Sequence, residues 1–330
     1  MDKNSLSYKV SLFGCIFAAV VVLLGAYTRL VDAGLGCPDW PGCYGFLAVP
    51  DTHEEITLAE QAYPHAPVEA HKAWPEMVHR YFAGTLGLII AFLAVLAFRA
   101  RHDDSQPLIL PVLLLGLVIF QAALGMWTVT LGLLPVVVMG HLLGGFTTLA
   151  LLLLLFLKLR DGNRPPVSSH LRNLALVGLA IVFIQVSLGG WTSANYAAII
   201  CTDFPTCQGH WIPPLDLSGA FQLHQEGVRS YLGGFLDNDA RVTIHWLHRL
   251  GALVTTVYVL FLVTRLFNNG YPRFAAWLLL VLLVQLSLGI SNVVFSLPLA
   301  VAVAHNGVAA LLLLTMVTLV HTLGQQNRPS

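Results

Sequence analysis

Apolar positions gather into eight long runs, at about residues 9–31, 76–98, 108–130, 134–157, 171–193, 242–264, 272–295 and 298–321. Each matches the ~20 apolar residues that a helix needs to cross the hydrocarbon core of a bilayer. Runs of this length satisfy their backbone in lipid as helices, since barrel strands are far shorter. The pattern predicts an all-α, polytopic membrane protein with eight transmembrane helices. The first run is long for the apolar core of a secretion signal and no A-x-A site closes it, so it reads as a retained helix. Polar residues collect in two long loops, 32–75 and 194–241.

Composition narrows the class. The 330 residues are 56% hydrophobic and 10% charged, against roughly 25% charged in a soluble domain. Mean hydropathy is +0.74. Seventeen Lys and Arg balance seventeen Asp and Glu, so no basic excess points to nucleic acid. A soluble globular protein, a disordered chain and a nucleic-acid binder are excluded.

Loop charge sets the orientation. With the N-terminus inside, the inner ends hold Lys3, Lys9, Arg99, Arg101, Lys158, Arg160, Arg164, Arg172, Arg265, Arg273 and Arg328, which is 11 of the 17 basic residues. The outer side keeps Arg29, Lys72, Arg80, Arg229, Arg241 and Arg249. Both termini are then cytoplasmic, and both long loops face the periplasm of a bacterial inner membrane. Long outer loops over a compact bundle suggest a cap on a site near the outer surface.

The chain repeats itself. A shift of 164 residues places Gly25 on Gly189, Thr28 on Thr192, Cys37 and Cys43 on Cys201 and Cys207, Gln121 on Gln285, Gly125 on Gly289 and His141 on His305. A shift of 169, with the extra residues in the longer second loop, places His79-Arg80 on His248-Arg249. A duplicated four-helix unit follows. An even number of spans gives both units one orientation, so the expected relation is a pseudo-two-fold axis along the membrane normal. The predicted units are residues 1–160 and 161–330.

His79, His141, His248 and His305 each fall a few residues inside the outer end of an even-numbered span. They therefore share one shallow layer. A lone His in an apolar helix is usually a packed, hydrogen-bonded side chain. Four at repeated positions are different, because polar residues in lipid are costly and default to function. Two imidazoles facing each other across a helix bundle suit axial ligation of haem iron. Zinc would call for Cys or carboxylate ligands clustered nearby. Gly84, Gly87 and Gly144-Gly145 lie within a turn or two of the histidines, where small residues admit a flat macrocycle or simply ease helix packing. Arg80 and Arg249 could meet haem propionates or reach toward the outer headgroups.

The halves differ at one telling place. Glu76 stands three residues before His79, whereas His245 stands three before His248. Residues i and i+3 share a helix face, so an acid in the first half alone can reach what His79 touches and move protons there. Trp74-Pro75-Glu76 also reads as a helix start, with Pro in the first turn and an acid favoured by the dipole. Of the five cysteines, Cys15 lies within a span and reads as a packed small hydrophobe. Cys37/Cys43 and Cys201/Cys207 lie in loops on the oxidising side, where two short disulfide-closed rings are expected. They serve either as clips over the bundle or, for the first pair, in redox chemistry.

With these residues in place, the chain resembles the haem A synthase family over nearly its whole length. The duplication, four histidines in even helices, the Glu-x-x-His-Arg motif and the paired loop cysteines carry the resemblance. It implies oxidation of a methyl group of haem O to a formyl group, giving haem A for terminal oxidases. It also implies haem b as cofactor between His248 and His305, haem O as substrate between His79 and His141, and Glu76 as the catalytic acid. Haem O would be delivered by a membrane farnesyltransferase, a haem O synthase. The electron partner is not identified by the sequence, and the lipid-facing Leu and Val surfaces also admit homo-oligomer contacts. Two other readings compete. A quinol-linked diheme cytochrome b explains four histidines but not Glu76. A transporter with a parallel repeat explains the duplication but not the histidine layer.

Overall fold

A computed structural model describes residues 5–103, 106–162, 169–224 and 227–325. Helices dominate them: α1 (Leu6–Leu30), α2 (His53–Ala62), α3 (Ala70–Arg99), α4 (Ile109–Thr130), α5 (Pro135–Asp161), α6 (His170–Ala194), α7 (Leu217–Ala220), α8 (Asn238–Asn268), α9 (Pro272–Val294) and α10 (Leu299–Gln325). Eight of these, all but α2 and α7, are long and apolar enough to cross a membrane. Among the described residues the extended pairing is two isolated bridges, Cys43 with Phe46 and Cys207 with His210.

Helix starts follow the local sequence. Ser5 caps α1 by accepting the Tyr8 amide, Ser169 caps α6 by accepting that of Arg172, and α5 and α9 open on Pro135 and Pro272. These residues satisfy or remove donors that a helix N-terminus leaves without partners. Within the spans, hydroxyls turn back on their own helix. Thr28, Thr148, Thr192, Thr255 and Thr315 each donate to the carbonyl four residues earlier, at 2.8–2.9 Å. No water is available there to do so.

The expected start of the second span is corrected. Helix α3 begins at Ala70, so Pro75 lies inside it and Glu76 is past the first turn. Ala73 and Met77 are buried against Cys37, Cys43 and Tyr44 of the first long loop, and that packing carries the helix beyond the apolar run. The Pro75 carbonyl also accepts the Thr28 hydroxyl at 3.2 Å. Glu76 is therefore not explained as an N-terminal residue favoured by the dipole.

The duplication is visible in the backbone. Positive φ angles recur at Asp32 and Tyr196, at Tyr44 and Gln208, at Gly45 and Gly209, and at Leu133 and Leu297, all at the shift of 164. Helix pairing repeats as well: α1 packs on α3 and α5, and α4 on α3 and α5, as α6 packs on α8 and α10, and α9 on α8 and α10. The two units meet where α5 and α10 pack on one another, α5 on α6, and α1 on α10. Close approach needs small residues here: a methyl at Gly307 of α10 would sit 2.9 Å from Leu23 Cδ2 of α1. Large apolar side chains such as Phe13, Leu88, Ile109 and Val257 point outward, as a lipid-facing surface requires.

Both long loops fold back on the bundle end. Tyr44 is buried, and its hydroxyl donates to the Pro67 carbonyl at 2.8 Å. Trp191 Nε1 donates to the Ala220 carbonyl at 2.8 Å. Basic residues of the expected inner set lie at the opposite helix ends; of that set, Lys3, Arg164 and Arg328 lie outside the described residues.

Candidate haem sites

The four histidines stand on α3, α5, α8 and α10, two in each unit. His79 and His141 face one another, with ring centres 6.3 Å apart and planes at 89°. Imidazole nitrogens bond metal ions at ~2.0–2.1 Å, so two rings on opposite sides of one ion have centres roughly 6 Å apart. The pair has the span that an axially held iron needs. The Nδ1 atoms of His79, His141 and His305 are buried without a hydrogen-bond partner. On the spacing of His79 and His141 the residues fit the group.

Each histidine packs against a glycine of the neighbouring helix. A methyl at Gly25 would lie 2.9 Å from His79 Cε1, at Gly125 3.4 Å from His141, at Gly189 3.1 Å from His248, and at Gly289 3.1 Å from His305. These glycines set the distance at which each ring can lie flat beside its neighbour. They stood out in the sequence only as landmarks of the repeat, and that same shift was the signal for their role. Glutamines contact the second pair of rings: Gln185 Nε2 contacts His248 Nδ1 at 3.1 Å and the His248 carbonyl at 3.0 Å, and Gln285 Nε2 lies 3.4 Å from His305 Nε2.

Of the glycines flagged near the histidines, a methyl at Gly84 or Gly145 would meet nothing within 4 Å, whereas one at Gly144 would run into the Gln121 side chain. Gly144 thus serves the packing of α4 on α5.

Glu76 is buried, with 5% of its surface accessible. Its Oε2 accepts the Cys37 backbone amide at 3.0 Å, and its Oε1 pairs with Arg80 Nη2. Arg80 Nη1 in turn donates to the carbonyls of Asp39 at 3.0 Å, Pro41 at 3.3 Å and Gly42. Arg249 does the same in the second unit, donating to Asp203 at 3.0 Å, Thr206 at 2.7 Å and Cys201 at 3.1 Å. The guanidinium groups offered from sequence to haem propionates are thus engaged with loop carbonyls. They hold the two cysteine rings onto the helices.

His245, the counterpart of Glu76, is also buried, and its Nδ1 lies 2.9 Å from the Ala197 carbonyl. One position therefore meets an N–H in the first unit and a carbonyl in the second. The acceptor-only carboxylate and the imidazole are matched to those partners, but only the first is an acid.

Both cysteine pairs form disulfides, Cys37–Cys43 and Cys201–Cys207, and Cys15 is free and buried. Inside each ring an aspartate that sequence reading passed over organises the turn. Asp39 accepts the amides of Tyr44 at 2.6 Å and Gly45 at 2.8 Å; Asp203 accepts those of Gln208 at 2.7 Å and Gly209 at 2.9 Å, and the Thr206 hydroxyl. The Thr206 hydroxyl, then the Gly209 and Gln208 amides, hold the Asp203 carboxyl down to about 2. A carboxyl lowered by folding stabilises the loop in its ionised form, fully above its unfolded value of ~3.9 and progressively less as pH falls toward the folded value. Protection of the Gln208 and Gly209 amides, taken relative to their intrinsic exchange rate at each pH, is therefore expected to be high at pH 5 and to fall between pH 4 and about 2. Equal protection at both ends of that range would remove Asp203 as the anchor.

Arg29 ties the units together, with Nη2 donating to the Ser193 carbonyl at 2.6 Å and its guanidinium 4.0 Å over the Tyr196 ring. Sequence reading placed Arg29 only among the outer charges.

The sequence profile of the COX15-CtaA family, cytochrome oxidase assembly proteins, matches residues 8–317. The chain belongs to this family. Similar proteins include a haem A synthase of Shewanella oneidensis, 48% identical over 308 residues and covering 92% of each chain. A haem A synthase of Methylobacterium radiotolerans is 32% identical over 345 residues, covering 96% of this chain and 90% of its own. One from Nitrosospira multiformis is 31% identical over 341 residues, covering 94% and 92%. For a COX15-CtaA protein with two histidine pairs, the question left by the geometry is why only one unit carries an acid.

Proposed function

We propose that the chain is a haem A synthase of the bacterial inner membrane. It oxidises one methyl group of haem O to a formyl group through hydroxylated intermediates, and so provides haem A for cytochrome oxidase. The observation that carries this reading is the asymmetry at one repeated position: a buried Glu76 beside the His79–His141 pair, and a neutral-capable His245 beside the other. It is supported by likeness to haem A synthases along the whole chain.

In this reading the unit of residues 1–160 is the substrate half and that of 161–330 the cofactor half, related by a pseudo-two-fold axis along the membrane normal. Termini lie in the cytoplasm and the cysteine loops in the periplasm. His79 and His141 hold haem O by its iron, which leaves the methyl to be oxidised at the macrocycle edge. His248 and His305 hold haem b, which when bound supplies a one-electron carrier beside the substrate half.

The protein's own groups then have separate tasks. Written with water as the oxygen source, methyl to formyl releases four protons and four electrons. Glu76 lies on the His79 face of α3 and is fixed by the Cys37 amide and Arg80, so it meets those protons at a defined place. Arg80 keeps Glu76 in register with the first cysteine ring, and the two disulfide loops close the outer end of the site to bulk water. A haem O synthase is the donor of substrate, and a redox partner takes the electrons onward.

A quinol-linked diheme cytochrome b would use both histidine pairs alike and gives no task to Glu76. The readings separate in a host that makes haem O but not haem A. Expression of this chain there is expected to yield a formyl-bearing farnesylated haem in the membranes. Haem O left unconverted beside well-expressed, haem-loaded protein would overturn the synthase reading.

A further inference from the structure

A cavity of about 570 Å³ opens between α5, α6 and α10, at the end of the bundle away from the cysteine loops. That volume is within the range of ligand sites, roughly 300–1,000 Å³. Its nearest lining residue on α5, Thr147, is ~9 Å along the helix from His141, and the cleft runs away from the histidine layer and has no part in the chemistry above. Its wall is a stripe from each helix, including Ala150 and Leu154 of α5, Leu179 and Phe183 of α6, and Leu313 and Val317 of α10. On α5 the lining runs from Thr147 to Lys158, and on α6 from Phe183 back to Arg172. Eleven residue-to-residue steps along each helix give a cleft ~16 Å long at 1.5 Å per step. That is about half of a ~30 Å hydrocarbon core, the depth of one leaflet.

The charge is all at one end. Lys158 and Arg172 line the cleft at its outermost turn on α5 and α6. Arg172 Nε is buried without a hydrogen-bond partner. The carboxylate nearby in sequence, Asp161, is already bonded to Arg160 and to His321, and so does not neutralise Arg172. An apolar slot one leaflet deep, with two cations at the headgroup level and a guanidinium nitrogen lacking an acceptor, matches one kind of ligand.

We propose that this cleft binds an anionic phospholipid of the leaflet opposite the cysteine loops, its acyl chain between α5, α6 and α10 and its phosphate on Arg172 and Lys158. Basic pockets between spans on the cytoplasmic side favour such headgroups. α5 belongs to one unit, and α6 and α10 to the other, so the lipid joins the two halves where they meet.

Native mass spectrometry of the full chain in detergent, titrated with dioleoyl phosphatidylglycerol or dioleoyl phosphatidylcholine, tests this. The wild type is expected to retain the anionic lipid preferentially. Arg172→Gln is expected to weaken it about fivefold, and Arg172→Gln with Lys158→Gln about 25-fold, from the ~1 kcal/mol that each cation contributes near the surface. Phosphatidylcholine retention should not change in either. Arg172→Lys keeps most of the preference, which separates lost charge from misfolding, and Arg99→Gln, at the same membrane side but outside the cleft, leaves it intact. Ala180→Phe, which fills the slot, lowers retention with the cations in place. Equal retention of both lipids by the wild type, or indifference to Arg172→Gln, would overturn the proposal. So would displacement of phosphatidylglycerol by inorganic phosphate, which would make this an ion site, or by farnesol with no headgroup preference, which would make it a groove for the substrate's tail.

Discussion

Replacing His248 or His305 with Ala is expected to remove tightly bound haem b completely, while the chain still inserts and still forms both disulfides. Loss follows from the geometry of axial ligation. Each ring approaches the ligand from one helix, packed against Gly189 or Gly289, and the nearest other imidazole, His245, is engaged with the Ala197 carbonyl. The equivalent changes at His79 or His141 should leave haem b in place and abolish retention of haem O. Reduced-minus-oxidised spectra of the purified variants, with extracted haems separated by chromatography, read both effects. Loss of haem b from His79→Ala with retention in His248→Ala would reverse the assignment of the two halves.

Glu76→Gln is expected to lower haem A formation by about 10²- to 10⁴-fold, the usual contribution of a positioned acid or base, with haem b content unchanged. The substitution is close to isosteric. Its side-chain oxygen can still accept the Cys37 amide, and Arg80 keeps its acceptors at Asp39, Pro41 and Gly42. The cysteine ring should therefore stay seated, and the loss should fall on turnover rather than on folding. Haem O should accumulate in the protein unconverted. Turnover of Glu76→Gln at the wild-type rate would leave Glu76 as an anchor for the loop and nothing more.

The spans were legible because the bilayer dictates their length, and the runs from Ile109 to Thr130 and from Pro272 to Val294 end within a residue of where the apolar pattern ends. Helix ends that enter the loops were not. Helix α3 continues back to Ala70 because Ala73 and Met77 bury against Tyr44 and the first disulfide, a contact between segments far apart in the chain. Helix α2 was readable in principle from Thr52 and Glu55, which form a capping box, but hydropathy passes over so short and polar a segment.

For the site, the repeat located the four histidines and the disulfide partners, since identical side chains recur at shifts of 164 and 169. It did not reveal the work of Arg80 and Arg249. A guanidinium beside a haem-binding His suggests an anionic partner, yet the ring of residues from Cys37 to Cys43 turns several carbonyls toward one point, and the guanidinium satisfies them. That demand is created by the loop's backbone and is invisible to residue type. The exchange of Glu76 for His245 was legible as a difference; its physical meaning, an amide on one side and a carbonyl on the other, came from the fold.

The most direct test is the pigment content of the purified wild-type protein from a haem O-producing host, counted per chain. One haem b and one farnesylated haem, part of it carrying the formyl group, is the expected result. Two haem b per chain with no farnesylated haem, while haem O is abundant in the same membranes, would contradict the division into a substrate half and a cofactor half.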